Sequence, residues 1–419
     1  MMRKIIEYLR RKQNITIEDL VVEICSSTMY YKYLSKEKNM STKNLKLIKE
    51  RLGADDLTKE EISEYHHDLD KIIHKIMRYY PSKEAFSKDI LPLIELEPQL
   101  LLCDDLCIDY IIAKINYLLL ENNVDEISNL LPLLEQFFLQ MTITQKLFYY
   151  QLVTFKANYL KEDITSITEE FAILLENNKY NKDYGKFHMS IVYSYIFLKN
   201  REKALLSLET ALSLFIRDLN LIGQVKATNM KAVILGESRK YEEVINLLIP
   251  NYNNAKQINA SYEVFVSLTN LITCYFGLND LKGVTKYWNY FKKQILNTHD
   301  YKLLQFVLKN NSLSLFTNFD YFDMQTQLDE LIELFKKYEI SDNKVISYLI
   351  EYYEIKNMDD KIKFIENTFL SLITGKAHFT YCKWMLDRCV NYFYNKRMYK
   401  KSIDLEAKYL ELFKQYYFN

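Results

Sequence analysis

Ala204-Leu-Leu-Ser-Leu-Glu-Thr-Ala211, Tyr241-Glu-Glu-Val-Ile-Asn-Leu-Leu248 and Val284-Thr-Lys-Tyr-Trp288 are three readings of one pattern. Ala204, Val244 and Val284 occupy the same place in each, 40 residues apart. Ahead of each lies another apolar-periodic stretch: His188 to Leu198, Thr228-Asn-Met230 and Leu268-Thr-Asn-Leu271. Short polar links such as Lys199-Asn-Arg-Glu202 join the two halves. Apolar residues at i, i+3 and i+4 on both sides of a short turn predict a helical hairpin, repeated. Continuing the step lands near Met324, Phe364 and Ser402, and stepping back lands near Ile164, Val124 and Glu84. A last copy runs from Cys389-Val-Asn-Tyr-Phe393 to Tyr399-Lys-Lys-Ser402. One hairpin cannot bury its own apolar face, but stacked hairpins share a core and wind into a right-handed superhelix.

Composition agrees. Only 7 Gly and 5 Pro serve 419 positions, several-fold below ordinary usage. These residues mark turns, strand edges and phosphate loops, so their scarcity favours helices with short links and disfavours most α/β enzymes. The six cysteines (Cys25, Cys103, Cys107, Cys274, Cys382, Cys389) form no CxxC pair and read as reduced core residues. The chain opens Met-Met-Arg-Lys-Ile-Ile-Glu, charged too early for a secretory leader, and no run of eighteen apolar residues follows. The expected location is cytoplasmic.

Charge is uneven. Net charge is zero, yet residues 1–53 hold twelve Lys/Arg against six Asp/Glu, so a basic head precedes an acidic remainder. Four short helices fit this head. Arg3 to Lys12 presents Ile6 and Leu9. Thr16 caps a second helix burying Leu20 and Ile24, with Asp19 as capping partner. Ser26-Ser27 caps a third, read with Tyr31 and Leu34 inward. Ser41 or Thr42 caps a fourth carrying Leu45, Ile48 and Leu52, which Gly53 stops. A capped short helix, a tight turn and a second capped helix is the helix-turn-helix layout.

Few residues of the sequence stand at spacings that carry chemistry. Gly185-Lys-Phe187 and Gly375-Lys-Ala377 lack the flanking residues of a phosphate loop. His66, His67 and His74 read as surface histidines without metal-ligand spacing, and the Cys103/Cys107 pair lacks further ligands. The expectation is no catalytic residue, no metal, no cofactor and no enzyme. One polar pattern remains: Asn229, Asn270 and Asn311 recur at 41-residue steps, with Asn391 similarly placed in the last hairpin. Amides carry both donor and acceptor, so such a column suits a peptide backbone; the alternative reading is that Asn only bonds neighbouring helices.

Two resemblances follow. The run Thr16-Ile-Glu-Asp-Leu-Val-Val-Glu-Ile-Cys-Ser-Ser-Thr-Met-Tyr-Tyr-Lys-Tyr-Leu34, with Leu45 to Leu52-Gly53, resembles the phage-repressor (XRE) class of DNA-binding domains. It departs from that class in having Ile17 where Gln is usual and Glu37 where Gly is usual. The resemblance implies that Ser27, Thr28, Met29 and Lys32 face base edges, with Arg10, Arg11, Lys36, Lys38 and Lys43 available to phosphates. The hairpins resemble tetratricopeptide (TPR) repeats, most clearly Tyr195…Ala204…Leu208…Ala211 and Asn270-Leu271…Tyr275…Trp288. Together these resemble the RRNPP group of Gram-positive regulators (Rap, Rgg, NprR, PlcR, PrgX). That implies a helix-turn-helix domain over 1–56 and a TPR-like body over 57–419 of eight to nine hairpins. It implies DNA as one partner, a short signalling peptide as another, and a homodimer formed through the repeats, around Tyr381 to Phe418. The alternative is a TPR adaptor that sequesters a response regulator or other protein, its head a helical bundle whose lysines are a solvated face.

Overall fold

Backbone turns with positive φ set the repeat. Lys199, Arg239 and Asn279 adopt φ of 57°, 59° and 56°, and Leu219 and Asn259 adopt 52° and 56°. Each set steps by forty residues. At these positions a helix ends in a left-handed residue, and the following amide reaches back to a carbonyl in the last turn: Asn200 N to Tyr195 O at 2.8 Å, Asn220 N to Phe215 O and Asp280 N to Tyr275 O at 2.9 Å. Asn200, Asn220 and Asp280 then cap the next helix, accepting from Lys203 N, Gly223 N and Gly283 N. One residue thus closes one helix and opens its neighbour. This explains how a chain with so little Gly turns so often: Lys, Arg, Asn and Leu take the left-handed positions that Gly usually fills, at about 1 kcal/mol each.

The structure, a computed structural model, describes residues 2–417 except 80–82, 122, 161, 179–180, 341–343 and 373–378. Among the described residues there is no strand, and no helix is long and apolar enough to cross a membrane. The chain divides into two compact units, residues 1–234 and 235–419.

The first unit begins with α1 (Met2–Lys12), α2 (Ile17–Val21), α3 (Ser27–Leu34) and α4 (Thr42–Arg51). It continues through α5 (Lys59–Arg78), α6 (Lys83–Glu95), α7 (Glu97–Leu101), α8 (Cys107–Glu121), α9 (Val124–Glu135), α10 (Ile143–Leu160), α11 (Thr165–Glu176), α12 (Gly185–Phe197) and α13 (Arg201–Arg217) to α14 (Leu221–Glu237), which runs past the boundary. The head helices bury Ile5, Ile6, Leu9, Leu20, Val21, Tyr30, Tyr33, Ile48 and Leu52 in a core continuous with the rest of the unit. Phe215 of α13 lies against the backbone of Gly185 and Gly223, where a β-carbon would overlap its ring. Gly185 therefore serves helix packing.

The second unit holds α15 (Tyr241–Gln257), α16 (Ser261–Gly277), α17 (Leu281–Asn297), α18 (Tyr301–Tyr321), α19 (Gln325–Lys337), α20 (Lys344–Glu354), α21 (Met358–Leu372), α22 (Phe379–Asn395) and α23 (Tyr399–Tyr417). Its core is aromatic. Trp288 is fully buried, with Phe291 stacked at 5.5 Å and Phe319 edge-on at 5.1 Å. The reference residues of the sequence pattern, Ala204, Val244 and Val284, are all fully buried near the starts of α13, α15 and α17. Met324 and Ile164 cap α19 and α11, and Val124 opens α9, so the period extends beyond its three clearest copies.

Candidate functional site

In the head, Thr16, Ser26 and Ser41 are the N-caps, accepting from Asp19 N at 3.0 Å and from Met29 N and Asn44 N at 3.2 Å. The inward face of α3 differs from the sequence expectation. Tyr30 and Tyr33 are buried and Tyr31 is 54% exposed, so the register is one residue off. An eight-residue helix buries one i, i+3 pair, here Tyr30 and Tyr33 in the core with Ile5, Ile6 and Leu9, and the Arg3 guanidinium lies 4.6 Å over the Tyr33 ring. The outward face then carries Thr28, Tyr31 and Lys32, with Ser27 and Met29 half-buried beside them. Lys36, Lys38 and Lys43 are exposed nearby.

Arg10 is differently placed from the other head cations. It binds Glu7 through Nε at 2.9 Å and Nη2 at 2.6 Å, and donates through Nη1 to Ile15 O at 2.6 Å. It thus clips the end of α1 to the α1–α2 turn. Arg11 reaches Glu7 at 2.8 Å but keeps 73% of its side chain exposed. Burial opposes charge on Glu7, yet the bonds from Arg10 and Arg11 outweigh it and hold the carboxyl below its usual range.

On its other side, α1 is fastened to the helices that follow. Lys12 Nζ lies 2.5 Å from Glu97 Oε2 and 2.8 Å from Glu126 Oε1. Lys114, only 2% exposed, binds the same two carboxylates, 2.7 Å from Glu126. Tyr8 OH donates to both at 3.4 Å. Two cations therefore balance two carboxylates, with Lys114 and Glu97 buried and Lys12 and Glu126 at the edge of solvent. Burial opposes the Glu126 charge, but hydrogen bonds from Lys114 and Lys12 prevail and bring its pKa to about 2. Lys114 was legible as the one cation inside the apolar run Leu106 to Leu120; its partners, drawn from α1, α7 and α9, were not.

Lys186 is a second buried cation of the first unit, and sequence reading missed it. Nine per cent exposed, it donates to Asn116 Oδ1 at 3.4 Å and lies 5.7 Å from the Tyr79 ring centre and 5.8 Å from that of Phe148. Lys226 Nζ approaches the same Tyr79 ring at 5.2 Å. Among the described residues no carboxylate balances Lys186. Burial, helped by the Lys226 charge, brings its pKa down to about 7.

The expected Asn column is divided. Asn229 is buried on α14 in the first unit, three residues beyond Lys226; the other three lie in the second unit. There Asn270 has an enclosed Nδ2 without a hydrogen-bond partner. Asn311 donates to Val307 O of its own helix at 2.7 Å. Asn391 is exposed at a cavity of about 630 Å³, where Asn318, Tyr321, Trp384, Arg388 and Tyr392 also line the wall. Asp320 anchors two of these, accepting from Trp384 Nε1 at 3.0 Å and pairing with Arg388. The expected dimer surface at Tyr381 to Phe418 falls partly outside the described residues, as does the Gly375 segment.

The elements define a class: an all-α protein of helical hairpins closed by TPR-like turns. Within that class the chain is similar in fold to particular solved structures of the RRNPP group. These include apo NprR, a quorum sensor from B. thuringiensis, with a TM-score of 0.62, 14% identity, and coverage of 84% of this chain and 99% of that one. A Rap protein complexed with competence and sporulation factor gives 0.58 and 12%, covering 84% and 98%. Aspartyl phosphate phosphatase F from Bacillus subtilis gives 0.54 and 11%, covering 86% and 95%. No protein-family model and no curated protein matches the sequence.

Proposed function

We propose that the chain is a cytoplasmic transcriptional regulator, a homodimer that binds DNA through residues 1–56 and answers to a short peptide bound by residues 57–419. The observation that carries DNA binding is the face of α3. Thr28, Tyr31 and Lys32 stand outward on a side-chain-capped helix, flanked by exposed Arg11, Lys36, Lys38 and Lys43 in the basic part of the chain. In this reading Thr28 and Lys32, with Ser27 and Met29, meet base edges, and the flanking cations meet phosphates. Arg10 supports the head from within. The fold shared with NprR and with a peptide-bound Rap protein supports the peptide half. Asn229, Asn270, Asn311 and Asn391 are its candidate contacts; Asn391, exposed on the wall of the cavity beside Trp384 and Tyr392, is the most accessible.

The test is a gel shift on the DNA upstream of the chain's own coding region at several salt concentrations, with and without the peptide encoded nearest to it. Sequence-preferring, salt-dependent binding that the peptide alters supports the reading. No preference over unrelated DNA would sink it and favour a protein-sequestering adaptor. That second reading draws on the likeness to Rap proteins, one of which is named a phosphatase of aspartyl phosphate.

A further inference from the structure

His66 and Asp70 stand one helical turn apart on α5, and Asp109 faces them from α8. His66 Nδ1 is 3.2 Å from Asp70 Oδ2, and one ligand atom from each of the three residues falls within 4.8 Å of the others. Gln145 of α10 donates through Nε2 to Asp109 Oδ1 at 2.7 Å. This fixes the carboxylate and leaves Oδ2 without a hydrogen-bond partner among the described residues. His66 and Asp70 line an open cavity of about 580 Å³ together with Ser63, His67 and Asp105, and Asp109 lies behind them, mostly buried. Water and ions can therefore reach His66 and Asp70.

We propose that His66, Asp70 and Asp109 bind a divalent first-row transition-metal ion, with solvent completing its coordination. One imidazole and two carboxylates form a mixed nitrogen–oxygen set suited to such ions. Metal–ligand bonds of about 2.0–2.2 Å place neighbouring ligand atoms roughly 3–3.5 Å apart. His66 and Asp70 already have that spacing, and a ligand atom of Asp109 lies within 4.8 Å of both, so a small closure of the three side chains completes it. The site also has a reason to attract a cation. Burial raises the Asp109 pKa, and the nearby Asp70 charge raises it further, against an opposing hydrogen bond from Gln145. A divalent ion between the two carboxylates removes that repulsion. Gln145 supplies the outer hydrogen bond that orients a ligating carboxylate. The ion would tie α5, the first helix after the head, to α8.

The experiment uses the full-length chain stripped with a chelator. Zn²⁺ is titrated by calorimetry, Co²⁺ by visible absorption, and melting is followed with and without metal. Saturable binding of one ion per chain is expected, with a raised melting temperature. Asp109→Asn and His66→Gln are expected to lose at least tenfold in affinity while melting like the stripped parent. Gln145→Ala, a positioning change, is expected to lose about tenfold with the ligands intact. Absence of saturable binding by the parent overturns the proposal. So does binding that persists unchanged in Asp109→Asn and His66→Gln, which would place the ion elsewhere, for instance on Cys103 and Cys107.

Discussion

Replacing Lys186 by Met should stabilise the protein near neutral pH, although it removes a hydrogen bond. The lysine titrates near 7 in the folded chain against 10.5 as its ordinary value. Below pH 7 it is charged in both states, and the folded protein bears the whole penalty of burying that charge. Between 7 and 10.5 the unfolded chain holds a proton that the folded chain has released, so stability rises with pH at roughly 1 kcal/mol per unit. Above 10.5 the penalty is gone. Methionine has similar length and no charge; its own liability is an Asn116 oxygen left without Lys186, worth about 1 kcal/mol. The charge term is several times larger over the window, so it wins. Urea unfolding of parent and Lys186→Met, measured from pH 6 to 10, should show the variant ahead by a few kcal/mol at pH 6–7, with the gap closing as pH rises. Lys226→Gln should move the window upward by removing a repulsive neighbour. Parallel stability curves, or a Lys186→Met protein weaker than the parent at pH 7, would refute the reasoning.

Four further outcomes are expected. Thr28→Ala with Lys32→Ala should reduce discrimination between operator and unrelated DNA, by about 1–3 kcal/mol per lost base contact, in competition gel shifts. Glu97→Gln should leave Lys114 and Lys12 sharing one carboxylate and destabilise the first unit by roughly 3–5 kcal/mol, seen as lost amide protection in α1, α8 and α9. Asn391→Ala should leave the melting temperature unchanged and weaken binding of the cognate peptide about tenfold in calorimetry, since its amide stands exposed on the cavity wall. Leu219→Gly, at a 78% exposed position with φ of 52°, should raise stability by about 0.5–1 kcal/mol in urea unfolding.

Periodicity along the chain was legible because hairpins pack on neighbours near in sequence. The forty-residue step located Ala204, Val244 and Val284 in the core, and the cap residues Thr16, Ser26 and Ser41 were readable because a side chain three residues from its amide is a local event. The inward face of α3 was misread because an eight-residue helix offers too few turns for its apolar face to be unambiguous. Its buried pair, Tyr30 and Tyr33, packs with Ile5, Ile6 and Leu9 of α1, more than twenty residues away. Pairings across long separations left no trace: Lys12 with Glu97 and Glu126, or Asp109 with His66, depend on how α1, α5, α8 and α9 come together. Even Gly185 could be seen only as a failed phosphate loop until Phe215 was found against it.

The fastening of α1 has a consequence for how operators would be chosen. Only residues 52–58 connect α4 to α5, and Lys12 is already bound to Glu97 and Glu126 on the far side of α1. A head on a loose tether adjusts to any separation of half-sites; a head bolted at two points does not. In the dimer proposed above, the distance between two heads so fastened would act as a calliper that selects the number of base pairs between half-sites. Inserting or deleting a few base pairs in the operator spacer would then matter as much as changing the bases that α3 reads.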